Sequence, residues 1–330
     1  MATQKQGTIV HWQSLSPILA IFRLAPENGS RFPGYVPGQY IALRRENCRL
    51  TRRTTDADGN VSYATDLDEK GVPRYGSVTH SYSITSSPSE TLQHGWLEFY
   101  VVLEKGESQY PGRFTESLFR DQPGGDRRLT YFDRIAGDFT LEKRAAGFSS
   151  VLLVGTGTGL APFRSMIRQL HDEALAGKKS NVRYTLLHAN RTLQELAYHQ
   201  ELSDIEASRS FDFAYVPSTS RPSPTDMNDA TLGKGRANNL LRRLFDMPLK
   251  EEETQSAAPS GSGASGPAQT QPALAQVVRP AFPERHPVPE LRQRFDPTGT
   301  VILTCGNPAA MADVQAIASA NQIRFEKEDW

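Results

Sequence analysis

A two-domain chain, an antiparallel β-barrel followed by an open parallel α/β sheet, is predicted by three observations. Short β-type runs broken by turns occupy residues 8–145, wholly apolar runs alternate with helical patterns after Gly147, and a glycine-rich turn joins strand to helix at residues 155–159.

In the first region "IALRR", "SYSIT", "WLEFYVVLE" and "RRLTYF" are punctuated by Gly and Pro, as expected of a small antiparallel barrel. The polar stretch "TRRTTDADGNVSYATDLDEKGVPRYG" interrupts it as a long loop or a hairpin excursion. Later, "SSVLLVG", "VRYTLLHA", "FDFAYVPS" and "GTVILTCG" are continuous apolar runs, as parallel strands covered on both faces require. Between them "APFRSMIRQLHDEAL" sets Phe163, Ile167, Leu170 and Ala174 on one helical face. The boundary is expected within residues 143–149, giving domains 1–146 and 147–330. A segment at about 251–280, opening "EEETQSAAPSGSGASG", has too little apolar surface to offset its ordering entropy and is predicted as a mobile loop before the last strand.

The 330 residues are 38% hydrophobic and 22% charged, which fits a soluble globular protein long enough for two domains. Lys plus Arg and Asp plus Glu both total 37, so no overall field favours nucleic acid or an anionic membrane. The start "MATQKQGTIVHWQSL" lacks a secretory pattern, and no apolar run approaches the roughly 20 residues that span a bilayer. A cytoplasmic monomer without membrane insertion is expected. Cys48 and Cys305 are the only cysteines, which excludes a disulfide framework and a four-cysteine metal or cluster site, and no metal centre is expected.

The chemistry concentrates in "VLLVGTGTGLAPF". Gly155, Gly157 and Gly159, interleaved with Thr156 and Thr158, allow backbone to approach a ligand at a helix start, where N–H groups and the helix dipole favour phosphate. Pro162 suits the first helical turn. The fingerprint G-x-G-x-x-G fails at Leu160, and there is no lysine for a triphosphatase loop, so a plain tight turn remains the alternative. Arg191 stands just past the next strand, where NAD-binding sheets often carry an acid; Ser220 and Arg221 follow the third, and Arg236 begins a helix in "LGKGRANNLL". Each arginine alone reads as a solvated surface residue. Their common place beyond the carboxyl ends of strands points to a 2′-phosphate, hence NADP.

In the barrel region "HSYSITSSP" alternates, with Tyr82, Ile84 and Ser86 predicted on one face and Ser83, Thr85 and Ser87 on the other. This stretch resembles the flavin-binding signature Arg-x-Tyr-Ser-x-x-Ser of the ferredoxin–NADP(H) reductase superfamily. "YVPGQYIAL", "GRFTESL", "GTGTGLAPF", the "ANR" and "SR…GR" pairs and "CGNP" follow the order of that family over nearly the whole chain, and a bacterial subgroup ends in tryptophan, as this chain does at Trp330.

The resemblance implies an antiparallel FAD-binding β-barrel followed by a Rossmann-like parallel-sheet NADP-binding domain, with FAD and NADP(H) as cofactors. It sets Tyr82 against the flavin or its ribityl chain, Ser83 near flavin N5, and Gly112 and Thr115 at the pyrophosphate. His80 stands where the family usually has arginine, and Arg113 is a candidate substitute for that phosphate contact. Gly155 to Pro162 would hold the NADP pyrophosphate, and Ser220, Arg221 and Arg236, joined by Arg191, the 2′-phosphate. Cys305 and Gly306 would border the nicotinamide, and Trp330 would cover and gate the flavin. Ser83, Cys305 and Trp330 are thus the catalytic candidates.

The implied activity is an FAD-dependent ferredoxin (or flavodoxin) NADP(H) oxidoreductase, in which hydride passes between nicotinamide C4 and flavin N5. A reductase for another acceptor, such as a cytochrome or an oxygenase component, and a flavin-binding electron-transfer subunit without freestanding activity are the alternatives. "RRENCRLTRR", residues 44–53, is either a docking patch for an acidic carrier or a solvated loop.

Overall fold

The computed structural model describes residues 3–57, 59, 61–104, 112–121, 124–256 and 278–328. Its contacts divide the chain into two compact units, Met1–Arg144 with Ala161–Ala176, and Ala145–Leu160 with Gly177–Trp330.

The first unit contains β1 (Gln4–Ser16), β2 (Leu19–Pro26), β3 (Tyr40–Arg49), β4 (Thr51–Thr55), β5 (Val61–Thr65), β6 (Tyr75–Ser83), β7 (Leu97–Val102) and β8 (Arg128–Ala136). Six of these form an antiparallel sheet in the order β6-β3-β8-β1-β2-β7. Its two edges are drawn together just past β6, where Thr85 N donates to the Glu98 carbonyl at 2.9 Å and Glu98 N to Ser86 Oγ at 3.1 Å. Inside lie Phe22, Phe99, Leu24, Ile41, Leu43 and Tyr131, with the Phe22 and Phe99 rings stacked at 5.0 Å. Each such side chain contributes about 1.5–3 kcal/mol on burial. The polar stretch after β3 is a hairpin excursion, with β4 and β5 paired from Thr51↔Thr65 to Thr55↔Val61.

The alternation expected of "HSYSITSSP" does not continue past Ser83. The strand ends there, and Ile84, Thr85, Ser86 and Ser87 are all fully buried. The reason is local: Ser87 caps the helix Pro88–His94, accepting from Glu90 N while the Glu90 carboxylate accepts from Ser87 N at 2.8 Å. Glu90 also takes a two-pronged contact from Arg164 on the helix Ala161–Leu175, and Arg164 donates to the Thr85 carbonyl at 3.3 Å. Burial alone would raise the Glu90 pKa, but the Arg164 guanidinium holds it below the usual range.

"RRENCRLTRR" is likewise no uniform basic patch. Arg45 is buried and bound to Asp121 at 2.5 Å, Arg44 bonds Glu46 at 2.7 Å, and Cys48 is buried with its Sγ 3.5 Å from Ser117 Oγ. β1 also begins earlier than the sequence suggested, at Gln4.

The second unit is a six-stranded parallel sheet of β9 (Ser150–Thr156), β10 (Arg183–Asn190), β11 (Phe213–Thr219), β12 (Gly233–Lys234), β13 (Thr300–Cys305) and β14 (Arg324–Lys327), in the order β12-β11-β10-β9-β13-β14. "GTVILTCG" is therefore not the last strand, because residues 324–327 add β14 beside it. The helix Lys250–Ser256 opens the expected low-complexity insertion, whose residues 257–277 lie outside the described part of the chain. In the core, His188 Nδ1 lies 3.1 Å from the Tyr215 hydroxyl, while its Nε2 is buried without a partner among the described residues. Burial, with the nearby His199, pushes the His188 pKa down to about 3.

Candidate functional site

The order of the parallel sheet reverses at β9, whose neighbours β10 and β13 lead away in opposite directions. Ligands of such sheets bind outside the carboxyl ends at this switch point. A cavity of about 560 Å³ lies there, lined by Thr156, Gly157, Asn190, Arg191, Ser220 and Arg236 and floored by residues of two helices, Ala237–Leu244 and Pro308–Ala320.

Each lining group is set by the strand end that carries it. Ser220 N donates to the Asn190 carbonyl at 2.9 Å and Arg221 N to the Arg191 carbonyl at 2.7 Å, continuing the β10–β11 ladder past the strands. Ser218 Oγ holds the Gly235 carbonyl at 2.9 Å and so places Arg236 at the N-cap of its helix. Thr156 Oγ1 accepts from Asn307 N at 2.9 Å. Gly306 has φ +126, and any Cβ there would strike Thr156. Of the glycines in the loop, Gly157 has φ +56 and open space beside it, whereas a Cβ on Gly159 would collide with the Cys305 carbonyl. Gly159 is thus used for packing β13 against the turn.

The cavity brings together Thr156, Gly157, Arg191, Ser220 and Arg236 from the sequence candidates; Gly155, Thr158, Gly159, Pro162, Arg221, Cys305 and Gly306 do not line it. Cys305 closes β13, fully buried, and donates its thiol to Glu328 Oε2 at 2.9 Å. Burial, with the Glu328 charge, raises its pKa well above the ordinary thiol value. Trp330 lies outside the described residues. Lys250, Asn238 and Asp313 also border the cavity and were not anticipated. Asp313 is bound by Arg242 at 2.5 and 2.9 Å and by Asn238 at 2.8 Å, so these contacts hold its pKa down although burial would raise it.

A larger cavity of about 860 Å³ lies beside Phe213 and Ala214 at the amino end of β11. At its centre Glu206 is tied up by neighbours, meeting Arg285 at 2.8 Å, His286 at 2.7 Å and Tyr215 N at 2.7 Å. It lies at the end of the sheet opposite the switch point.

In the barrel unit, Tyr82 and His80 leave β6 beside the helix Arg113–Arg120. The Tyr82 ring is 5.2 Å from Phe114, and the His80 ring meets the same residue edge-on at 6.4 Å. Burial raises the Tyr82 pKa; burial and the Arg113 charge lower that of His80, favouring a neutral imidazole. Ser83 is buried at the end of β6, paired across from Tyr40. The helix starts at Gly112 with no side-chain cap, and Thr115 Oγ1 turns back to the Gly112 carbonyl at 3.3 Å. Arg113 Nε is buried without a partner among the described residues. An uncapped helix start beside an unsatisfied guanidinium N–H fits an anionic group such as a phosphate.

Residues 153–257 match the family described as the oxidoreductase NAD-binding domain. The chain is 23% identical to flavohemoprotein A of Dictyostelium discoideum over 197 residues, 60% of this chain and 42% of that protein. It spans about two-fifths of the length of the flavohemoproteins it matches. Among solved structures, it resembles a ferredoxin NADP+ reductase from Neisseria gonorrhoeae with bound FAD and NADP, at TM-score 0.58 and 17% identity over 99% of both chains. It also resembles the flavohem-like FAD/NAD binding domain of nitric oxide dioxygenase from Vibrio cholerae, at TM-score 0.56 and 16% identity over 99% of this chain and 98% of that one. At such identities the likeness establishes the two-domain fold. Among the described residues, no helix is long and apolar enough to cross a membrane.

Proposed function

We propose that this chain is an FAD-dependent NADPH reductase that exchanges electrons with ferredoxin or flavodoxin. The observation that carries the reading is the gathering of Thr156, Gly157, Arg191, Ser220 and Arg236 at the switch point of a sheet whose sequence matches an oxidoreductase NAD-binding domain. A bound flavin would supply the chemistry that links two-electron hydride exchange with nicotinamide to one-electron transfer. The protein's task is to hold and orient. Arg113 and the uncapped start of its helix would hold the flavin pyrophosphate, assisted by Gly112 and Thr115, with Tyr82 packing along the isoalloxazine and neutral His80 contributing no charge. Ser83 would face N5. Cys305, Gly306 and Trp330 would border the nicotinamide, Trp330 as a cover that must shift to admit it. Arg236, with Ser220 and Arg191, would receive the 2′-phosphate, whereas Arg221 does not line the cavity.

A haem protein as the electron acceptor is the second reading, favoured by the similarity to flavohemoproteins. An anaerobic spectral titration tests the first. The purified protein should be yellow and be bleached by a small excess of NADPH but poorly by NADH; the bleached protein should then reduce ferredoxin or flavodoxin. Bleaching followed by transfer to a haem acceptor alone would favour the second reading. A colourless protein that takes up no FAD would reject both.

A further inference from the structure

The cations that line the nucleotide cavity each stand beside a carboxylate of this chain, but the pairs differ in firmness. Arg191 is clamped by both oxygens of Glu195, whose side chain is only 7% exposed. Lys250 lies between Glu253 at 3.3 Å and Asp313 at 3.4 Å. Arg236 is different: its side chain is 71% exposed, and its Nη1 is 3.7 Å from Glu251 Oε1. Glu251 is anchored independently of that contact. Its Oε2 accepts from Asn239 Nδ2 at 2.9 Å, and the same buried amide accepts from Lys250 N at 3.2 Å through its oxygen. A neutral amide thus holds a carboxylate against a guanidinium that stays largely in water.

We propose that Glu251 is a specificity-determining residue of this cavity: it weakens the preference for a ribose bearing a 2′-phosphate over an unphosphorylated ribose by neutralising Arg236. The inference rests on the nucleotide reading given above. A 2′-phosphate brings about one and a half to two negative charges at neutral pH. It reaches Arg236 only against the Glu251 carboxylate, or after displacing it; an unphosphorylated ribose meets no such repulsion. Because Arg236 is exposed, solvent and salt screen the competition, and removing the carboxylate charge is worth about fivefold in affinity.

The test is calorimetric titration of the full chain with 2′-phospho-ADP-ribose and with ADP-ribose, which requires no hydride transfer. Glu251→Gln keeps an oxygen for Asn239 and removes only the charge. It should tighten 2′-phospho-ADP-ribose about fivefold and leave ADP-ribose within about twofold. Arg236→Gln should weaken the phosphorylated ligand and abolish the gain from Glu251→Gln in the double variant. Glu252 Oε2 accepts from Leu249 N at 3.0 Å on the same helix, so Glu252→Gln controls for loosening of that helix and should move neither affinity ratio. An unchanged ratio in Glu251→Gln, or an equal gain in Glu252→Gln, overturns this inference while leaving the nucleotide reading intact. Failure of the wild-type chain and of every variant to bind either ligand overturns both.

Discussion

On the barrel side, Arg113 keeps a buried Nε without a partner among the described residues, beside a helix start that no side chain caps. On the α/β side, Arg191, Arg236 and Lys250 each face a carboxylate of the chain itself. An unsatisfied buried donor costs about 1–3 kcal/mol, which an arriving anion relieves by pairing with it. A donor already paired offers an anion only the difference between two partners. The first arrangement suits a group that arrives once and stays, the second one that must leave after every turnover.

The comparison can be broken most severely where compensation lies deepest. Among the described residues, Asp313→Asn leaves the buried Arg242 with the half-exposed Glu253 as its one charged partner, and should lower the unfolding free energy by about 3 kcal/mol in denaturant titration. A loss near zero would mean that the pair does not secure the floor of the cavity. On the barrel side, Arg113→Gln should weaken FAD by about 2 kcal/mol, roughly 30-fold, when flavin-stripped protein is titrated by absorbance. Undiminished flavin would remove the contrast between the two sides.

A third effect separates buried charge from buried neutrality. Folding lowers the His188 pKa from 6.5 to about 3, so between those values the unfolded chain binds more protons than the folded one. Stability should therefore fall as pH drops through that window, by up to about 1.4 kcal/mol per unit from this residue. His188→Phe should flatten the slope when thermal midpoints are compared from pH 6.5 to 4.5; parallel profiles would contradict it. The smallest effect concerns the two unequal arginines. Arg236→Gln should raise the KM for NADPH about fivefold relative to NADH, whereas Arg221, which does not line the cavity, should change the ratio less. Equal losses for the two variants would show that lining the cavity is not what distinguishes them.

Much of this was legible in the sequence, because the apolar runs and the glycine turn report local geometry directly. "VRYTLLHA" and "GTVILTCG" became β10 and β13, and Arg191, Ser220 and Arg236 reached one cavity through their shared place after strand ends. What stayed hidden were charges inside. Arg45, Arg164 and Arg242 are each buried against a carboxylate 70 or more positions away in the chain, Asp121, Glu90 and Asp313. No local pattern announces such a pair. Thr85 to Ser87 resembled an alternating strand, although the capping of the next helix and the closure of the barrel edge drew all three inside. The Arg191–Glu195 clamp was within reach, since an i,i+4 pair in "RTLQE" is a signal a sequence can carry.

The two cysteines fall one to each unit, Cys48 in the barrel and Cys305 at the end of β13, and both are wholly buried. Burial raises the pKa of each thiol, most strongly that of Cys305, and alkylating reagents attack the thiolate. Modification at either position must therefore wait for its own unit to open. With no competing thiol in the chain, mass-resolved alkylation under native conditions gives two independent clocks from one sample, each reporting the opening of one half of the protein.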